Sequence, residues 1–461
     1  MVLAVPLDFP SALPDDAFGV FDSGDTAWVL TSAALVLLMT PALAFFYGGL
    51  SRQKSVLNMM MMSFGALGVV SVIYVLWGYS MSFSSAHTGG SDIWGIFDNP
   101  FSLFGLKPLL ETSEIVEAGI TVEQVVIGGF GTVPAIVWVA FQLTFAVITV
   151  ALISGALAER VKFGTWLVFS GIWVTLVYFP LAHMVWGGGL LSNSETGFAS
   201  WIFGTTTDDA GATVAAVAPV DFAGGTVVHI NAGMTALVLA ILVGRRAGFG
   251  KMAFRPHNIP WVMLGAAVLW FGWFGFNVGS EGAADAVAGL VWVNTTAATA
   301  AAMLGWLLVE RIRDGHPTSV GAASGVVAGL VAITPACGSL DPIGSLILGA
   351  IAGALSALAI GMKYRFGYDD SLDVVGVHLV SGLWGTIAIG FLAVDTGLFY
   401  GGGIKQLVVQ GVIAIAAATF TAIMTVLIAL ALKPMGWRVT GEDEGTGIDE
   451  TEHAETAYEL V

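Results

Sequence analysis

The chain has 461 residues, of which 56% are hydrophobic and 11% charged. This composition excludes a soluble globular domain, because apolar runs of about 20 residues, long enough to cross a bilayer as helices, recur along it. The net charge is −17, which indicates a solvated acidic surface, and no nucleic-acid partner is expected. The single cysteine, Cys337, excludes an intrachain disulfide and a cysteine-based metal cluster. No cofactor and no enzymatic activity are expected.

The chain divides into three predicted regions. Residues 1–26 have no Lys or Arg and no long apolar core, so they make a poor signal peptide and are predicted to be an extracellular segment. Residues 27–432 form the membrane region, and residues 433–461 form an acidic cytoplasmic tail. The predicted spans, numbered one to eleven in chain order, are 27–50, 56–83, 133–157, 163–186, 221–243, 259–280, 285–309, 319–337, 343–362, 371–394 and 406–432.

Basic residues alternate with the spans. Fourteen of the 16 Lys and Arg follow odd-numbered spans, as Arg52 follows span one and Arg246 follows span five. Only Lys107 and Lys405 lie on the other set of connections. The positive-inside rule then puts the N-terminus outside and the C-terminus in the cytoplasm. The predicted fold class is an all-α polytopic protein of the cell membrane with eleven transmembrane helices.

Two spans share one spacing of residues. Asp221 and His229 in span five are matched by Asp370 and His378 in span ten, and a glycine follows each histidine after four residues. Because the two spans run in opposite directions, eight residues at about 1.5 Å each bring both histidines about 12 Å inward from opposite faces. They meet near the middle of a hydrocarbon core about 30 Å thick. Spans one to five and six to ten are therefore predicted to be inverted repeats, with span eleven added and the substrate site between the halves.

The paired histidines have three interpretations. An ionisable residue at this depth is costly, so the default interpretation is functional. Two neutral imidazoles can share a hydrogen bond and line a path for a small guest without adding a permanent charge. The alternatives are ordinary helix-packing residues or the axial ligands of a haem. The small residues around both histidines suit tight packing better than a porphyrin cavity.

Aromatic side chains concentrate near the outer ends of three spans. Phe145 lies within span three, and Trp186 closes span four. The end of span six, over 271–280, adds Trp273, Phe276, Asn277 and Ser280. Several rings with one hydroxyl suit a small monovalent cation held by ring faces and a hydrogen bond. An aromatic belt at the membrane interface is the alternative.

Over essentially all eleven spans the chain resembles ammonium transporters of the Amt family, within the Amt/Rhesus superfamily. The resemblance is carried by residues 45–50, 221–233, 334–338 and 373–378, and the segment 221–237 is highly specific. It implies a homotrimer with one pore per subunit that transports ammonium or methylammonium.

The resemblance also implies roles for the residues singled out above. His229 and His378 match the family's paired pore histidines, and Phe145 and Phe276 match the two phenylalanines that gate the outer pore. Trp186 and Ser280, together with Phe145, match the outer site that recruits ammonium. The residues expected to support these sites are Asp221, Trp273 and Asn277. Asp221 is expected to hold the recruitment site in shape and to help remove the proton, rather than to bind the cation directly.

The tail resembles the family's cytoplasmic C-terminus, which in relatives takes part in regulation by PII signalling proteins. The candidate regulatory residues are Gly436, Arg438, Glu452, His453 and Tyr458. A disordered acidic tail is the alternative. Leu379 and Ala454 stand where the family usually has glycine, and the outer connections 84–132 and 187–220 are longer than expected.

Passage of the intact cation and passage after deprotonation are comparable in energetic cost. Carrying an intact cation past the midplane costs at least about 2.5–3.5 kcal/mol, and each ring contact returns about 0.5–2 kcal/mol. Removing a proton from an amine that titrates about 2–3 units above neutrality costs roughly 3–4 kcal/mol. Selectivity decides between the two routes, because potassium cannot shed a proton. Net ammonium movement, with the histidines relaying the proton, is favoured, but the sequence leaves neutral ammonia flux open.

Three other functions remain in competition at this point. An ammonium sensor of the same fold would signal through the tail, although only 29 residues, 433–461, follow span eleven. A membrane redox protein would bind haem between the histidines. A rhesus-type gas channel is a close relative, and Trp186 at the recruitment position favours the Amt branch.

Overall fold

The computed structural model describes residues 21–110, 112–117, 120–125 and 129–458. Most of the predicted N-terminal segment, part of the connection 84–132 and the end of the tail lie outside the described residues. Within them, ten helical segments are long and apolar enough to cross a membrane: Ser23–Leu50, Gln53–Phe83, Ala135–Leu157, Phe163–Trp186, Gly225–Val243, Ile259–Gly279, Ala286–Arg313, Pro342–Phe366, Val375–Leu392 and Lys405–Ala431. A shorter apolar helix, Ser319–Ile333, matches the predicted span eight.

The helices coincide with all eleven predicted spans, and the all-α polytopic class is confirmed. The count of eleven crossings and the inverted repeat stay predictions. The other described helices are short: Ser85–Thr88, Phe104–Leu110, Phe198–Phe203, Leu398–Tyr400, Lys433–Met435, Gly441–Thr446 and Ile448–His453. Four antiparallel strand pairs lie in or beside the long connections: Asp92–Ile93 with Phe97–Asp98, Thr112–Glu117 with Ile120–Val125, Gly129–Phe130 with Val133–Pro134, and Thr205–Thr207 with Thr213–Ala215.

Small residues set how closely the spans pack. A Cβ atom on Gly349 or Gly353 of span nine would collide with the backbone of Ala298 or Ala302 in span seven. Small residues at such crossings let backbones approach and gain dispersion contacts, which replace the missing hydrophobic driving force inside lipid. The high glycine content of the chain therefore has a packing role.

Four spans contain a π-helical turn instead of a continuous α-helix. These turns are Tyr74–Gly78, Val174–Tyr178, Gly225–Ile230 and Val375–Leu379. His229 and His378 lie in the last two. A π turn widens the helix by one residue and redirects its side chains, and such turns are frequent at functional sites.

The connections that follow odd-numbered spans meet at one end of the bundle. The Glu159 carboxylate accepts from Arg52 Nε at 2.6 Å and from Arg246 Nη1 at 3.2 Å. Arg246 also forms a two-pronged pair with Asp369, with both N···O distances at 2.9 Å. Arg160 is fully buried beside them, and burial lowers its pKa to about 10, so it stays protonated at neutral pH. Arg52, Arg160 and Arg246, which follow three different odd-numbered spans, therefore lie together.

Candidate functional site

The two histidines are in direct contact. His229 Nδ1 and His378 Nδ1 are 3.3 Å apart, the ring centroids are 5.4 Å apart, and the ring planes differ by 24°. Both side chains are buried. One Nδ1 must carry the hydrogen and the other must accept it, so two neutral rings occupy opposite tautomers. His229 Nε2 has no hydrogen-bond partner among the described residues, and the pair therefore keeps a free polar nitrogen in an apolar setting.

This geometry leaves no room for a haem iron between the rings. Two imidazoles that share a metal place their nitrogens about 4 Å apart, since each metal–nitrogen bond is about 2.0–2.1 Å. The facing nitrogens are closer than that, and the rings are stacked on each other. The redox interpretation therefore loses its structural basis.

Asp221 fixes the beginning of span five. Its carboxylate accepts backbone N–H groups from Gly224 at 3.0 Å, Thr226 at 3.0 Å and Val227 at 3.2 Å, and it also bonds the Thr226 hydroxyl. A carboxylate at this position satisfies N–H groups that a helix start leaves unpaired, and it complements the helix dipole. The Asp221 carbonyl accepts the Trp186 indole N–H at 2.9 Å, so one residue positions both the helix and the indole ring.

Asp370 acts in the same way at the start of span ten. Its carboxylate accepts the N–H groups of Val374 at 3.1 Å and Val375 at 2.7 Å, directly before the π turn that carries His378. The matching Asp–His spacing thus corresponds to matching local structure. In both segments a carboxylate begins the helix and a π turn presents the histidine.

A cavity of about 260 Å³ lies at the end of the bundle that carries Trp186. Phe145, Trp186 and Ser280, the three residues of the predicted recruitment site, line it together. The Ser280 hydroxyl donates to the Phe276 carbonyl at 2.7 Å, which leaves its oxygen lone pairs available. The lining residues that the sequence did not identify are Phe83, Trp138, Gln142, Val185 and Phe222.

Part of this lining was accessible from the sequence. Trp138 and Gln142 precede Phe145 by seven and three residues, so the three share one face of span three. Phe83 and Phe222 come from ends of other segments, and no periodicity connects them with this face.

Stacked rings lead from the cavity to the histidines. Trp186 meets Phe145 edge-on with 6.1 Å between centroids, and Phe145 stacks on Phe276 at 4.2 Å and 27°. Phe276 in turn stacks on His229 at 6.0 Å. The two phenylalanines are each 1% exposed and separate the cavity from the imidazoles.

Trp273 and Asn277 hold the surroundings of His229. The Trp273 ring is stacked on His229 with 5.5 Å between centroids, and its N–H donates to Thr334 Oγ1 at 2.9 Å. The Asn277 amide donates to Thr295 Oγ1 at 3.1 Å. These bonds fix side chains on span six against spans seven and eight. Thr334 is a further positioning residue, which the sequence indicates only as part of the segment 334–338.

Leu379, which stands where the family usually has glycine, packs against Gly233. A Cβ atom on Gly233 would collide with the backbone of Leu379, so spans five and ten touch at this point, four residues beyond His229. The first side-chain atom of the leucine lies against the glycine.

The tail is folded over 433–458 and lies against the end of the bundle that carries the basic connections. The Gly436 carbonyl accepts the Thr165 hydroxyl at 2.9 Å. Arg438 donates to the Arg245 carbonyl at 2.7 Å and pairs with Glu444 at 2.7 Å. Glu444 also accepts the Ala247 N–H at 2.6 Å. The alternative of a disordered tail is wrong for these residues.

The start of span two is capped by the tail. Asp449 accepts the N–H groups of Leu57 at 3.0 Å and Asn58 at 2.8 Å, while His453 Nε2 lies 3.0 Å from Asn58 Oδ1. Burial raises the pKa of Asp449, and the backbone N–H groups oppose that shift by stabilising its charged form.

Two more tail contacts reach other connections. Glu452 accepts the Phe163 N–H at 2.9 Å, at the start of span four, and the Tyr458 hydroxyl lies 3.0 Å from His257 Nε2. Ala454 has φ of 55°, in the left-handed region that favours glycine. This backbone conformation explains why the family usually has glycine at this position. The candidate regulatory residues thus all contact the bundle.

The fold and the site define a multi-pass membrane protein with a buried, ring-lined route to a histidine pair. Residues 27–458 match the model of the Ammonium Transporter Family. A protein of Mycobacterium tuberculosis named ammonium transporter is 54% identical over 457 residues, covering 96% of this chain and 92% of the relative. The ammonium transporter of Aquifex aeolicus is 43% identical over 447 residues, covering 95% and 94%.

Solved structures agree with the sequence relatives. The Mep2 structure from Saccharomyces cerevisiae superposes with a TM-score of 0.76 at 28% identity, covering 96% of this chain and 95% of that one. A structure described as a sensor Amt protein gives 0.77 at 27% identity, covering 93% and 98%. The chain belongs to the ammonium transporter family, and its relatives are transporters rather than enzymes.

Proposed function

We propose that this chain moves ammonium across the cell membrane by recruiting the cation outside, removing its proton and passing ammonia between the two histidines. The observation that carries the proposal is the ring column from Trp186 through Phe145 and Phe276 to the contacting pair His229 and His378. The cavity at its outer end offers ring faces and the Ser280 oxygen, which together suit a small monovalent cation.

Selectivity follows because the column changes from a site that can hold a cation to an apolar passage. Ring faces and one oxygen hold a cation weakly, and the stacked phenylalanines then admit only a guest that needs no hydration. Ammonium meets this condition by giving up a proton. Potassium keeps its charge, and moving that charge into the apolar region is energetically costly. The free His229 Nε2 and the shared Nδ1 hydrogen provide acceptor and donor sites, so the pair relays the proton and net charge moves with ammonia.

The proposed membrane orientation follows from the positions of the basic residues. The connections after odd-numbered spans and the tail lie at one end of the bundle, and their basic residues make that end cytoplasmic. Residues 1–26 then begin outside, 27–432 form the transport domain, and 433–461 form the cytoplasmic tail. The assembly that we propose is a homotrimer with one pore in each subunit, as the family resemblance implies.

Trp186→Leu is expected to weaken recruitment without closing the pore. Loss of a cation–π contact of about 0.5–2 kcal/mol corresponds to a rise of about 2- to 30-fold in the half-saturation concentration. The measurement is initial methylammonium uptake into proteoliposomes over a range of concentrations. Trp201→Leu, which removes a 66% exposed tryptophan from the second outer connection, serves as the matched control. Equal half-saturation for both variants would remove Trp186 from the recruitment site.

The tail is proposed to bind a PII-type signalling protein. It offers acidic groups and short helices on the cytoplasmic end, where Asp449 and Glu452 bond the starts of spans two and four. A partner that pulls the tail away would release these caps and act on both spans.

Deletion of 434–461 is expected to abolish copurification of a PII protein from nitrogen-replete cells. A control chain carrying residues 441–458 in scrambled order keeps the charge but loses the docked contacts, and it is also expected to fail. Copurification that persists after the deletion would refute the proposed partner, and binding by the scrambled tail would show that charge alone suffices.

An ammonium sensor of this fold is the second candidate, since one similar structure is described as a sensor Amt protein. The two candidates differ in flux. A sensor would bind methylammonium to reconstituted protein with little or no uptake, whereas a transporter accumulates it over time.

A further inference from the structure

A second polar cluster lies at the proposed outer end of span four, away from the ring column. Its members are His183, one turn before Trp186, and two aspartates of the strand pair Asp92–Ile93 and Phe97–Asp98. His183 Nε2 is 2.8 Å from Asp92 Oδ1, and His183 Nδ1 is 3.5 Å from Asp98 Oδ2. One donor atom from each of the three side chains lies within 4.8 Å of the others.

Asp98 is the unusual member of this cluster. Its side chain is fully buried, and Oδ2 accepts both the N–H and the hydroxyl of Ser85, at 2.7 and 2.8 Å. The other oxygen, Oδ1, has no hydrogen-bond partner among the described residues. A buried carboxylate oxygen left without a partner is costly, and a cation next to it removes that cost.

The charge of the cluster favours a divalent cation. Two carboxylates carry two negative charges, and a protonated imidazole would cancel only one of them. A divalent ion bound to both carboxylates and to a neutral imidazole cancels both. Nitrogen and carboxylate oxygen together are ligands of zinc and related transition metals, and three protein ligands leave one position for water.

We propose that Asp92, Asp98 and His183 bind a divalent transition-metal ion such as zinc. Ligand atoms at about 2.0–2.2 Å from one ion lie within about 4.4 Å of each other, and the three donor atoms lie within 4.8 Å of one another, close to that limit. Bound metal would tie the first outer connection to span four, one helical turn from Trp186. The inference does not depend on what the ring column conducts.

The test is zinc binding to the full-length protein in detergent, after tag removal and EDTA treatment, measured by isothermal titration calorimetry. One zinc ion per chain is expected. Asp92→Asn is expected to weaken binding at least tenfold, and because this side chain is 44% exposed the substitution leaves buried packing in place. Gel filtration at an unchanged elution volume checks that the variant is folded.

Asp209→Asn is the matched control, since it removes an exposed carboxylate from the second outer connection. Its affinity is expected to stay within twofold of the unmodified protein. Zinc should also raise the Tm of the unmodified protein and of Asp209→Asn, but not that of Asp92→Asn. Absence of saturable binding, or full affinity in Asp92→Asn, would overturn the proposal and leave an imidazolium held between two carboxylates.

Discussion

Alanine at both His229 and His378 is expected to reduce methylammonium uptake by about two orders of magnitude, to the background of empty liposomes. The two rings continue the stack beyond Phe276, and His229 Nε2 is left there without a hydrogen-bond partner among the described residues. Without them a proton has no acceptor, and an intact cation faces at least about 2.5–3.5 kcal/mol, which corresponds to a factor of about 100 or more in rate. Uptake of labelled methylammonium into proteoliposomes measures the loss.

His316→Ala is the control for the histidine variant, since His316 is exposed in the connection after span seven and contacts neither ring. Its uptake should match that of the unmodified protein. The single variants His229→Ala and His378→Ala separate the two positions, and each should lose uptake because the shared hydrogen needs both rings. Selective uptake at the normal rate by the double variant would rule out the histidine path.

Asp221→Ala is expected to abolish uptake as well, but by destabilising the start of span five. The substitution removes the acceptor for several N–H groups at the start of span five, and it leaves those buried donors unpaired. Loss of such a charged cap corresponds to about 1.5–3 kcal/mol in the free energy of unfolding. Both thermal unfolding in detergent and uptake should therefore fall. Asp221→Asn keeps one acceptor oxygen, and we expect it to be intermediate in both measurements.

The variant Glu281→Gln tests whether the losses in Asp221→Ala come from the missing helix cap or from removing any acidic residue near the outer end of the bundle. Glu281 follows Ser280 at the same end of the bundle, and among the described residues it makes none of the hydrogen bonds that hold the start of span five. Both the Tm and the uptake of this variant should therefore stay close to those of the unmodified protein. An unchanged Tm in Asp221→Ala with lost uptake would instead assign Asp221 a direct part in removing the proton.

The sequence predicted the spans well because the bilayer imposes a minimum length on apolar helices and the basic residues mark alternate connections. The spacing of Asp221 and His229, repeated at Asp370 and His378, predicted that the two histidines meet, and their rings are in contact. Both are local properties of the chain that a linear reading can detect.

Other features depend on residues that are far apart in sequence. The π turns were not predicted, since a shift in hydrogen bonding by one residue leaves the apolar pattern unchanged. Phe83 and Phe222 reach the outer cavity through tertiary packing alone. The cap that Asp449 gives to span two joins residues 391 positions apart, and the cluster of Asp92 and His183 joins residues 91 positions apart.

The central claim is that ammonium enters the ring-lined route and that its charge crosses through the histidine pair while other monovalent cations are excluded. Electrical recording from proteoliposomes with ammonium, methylammonium and potassium tests this claim most directly. We expect transient inward currents with ammonium and methylammonium and none with potassium. A potassium current comparable to that of ammonium would contradict the account.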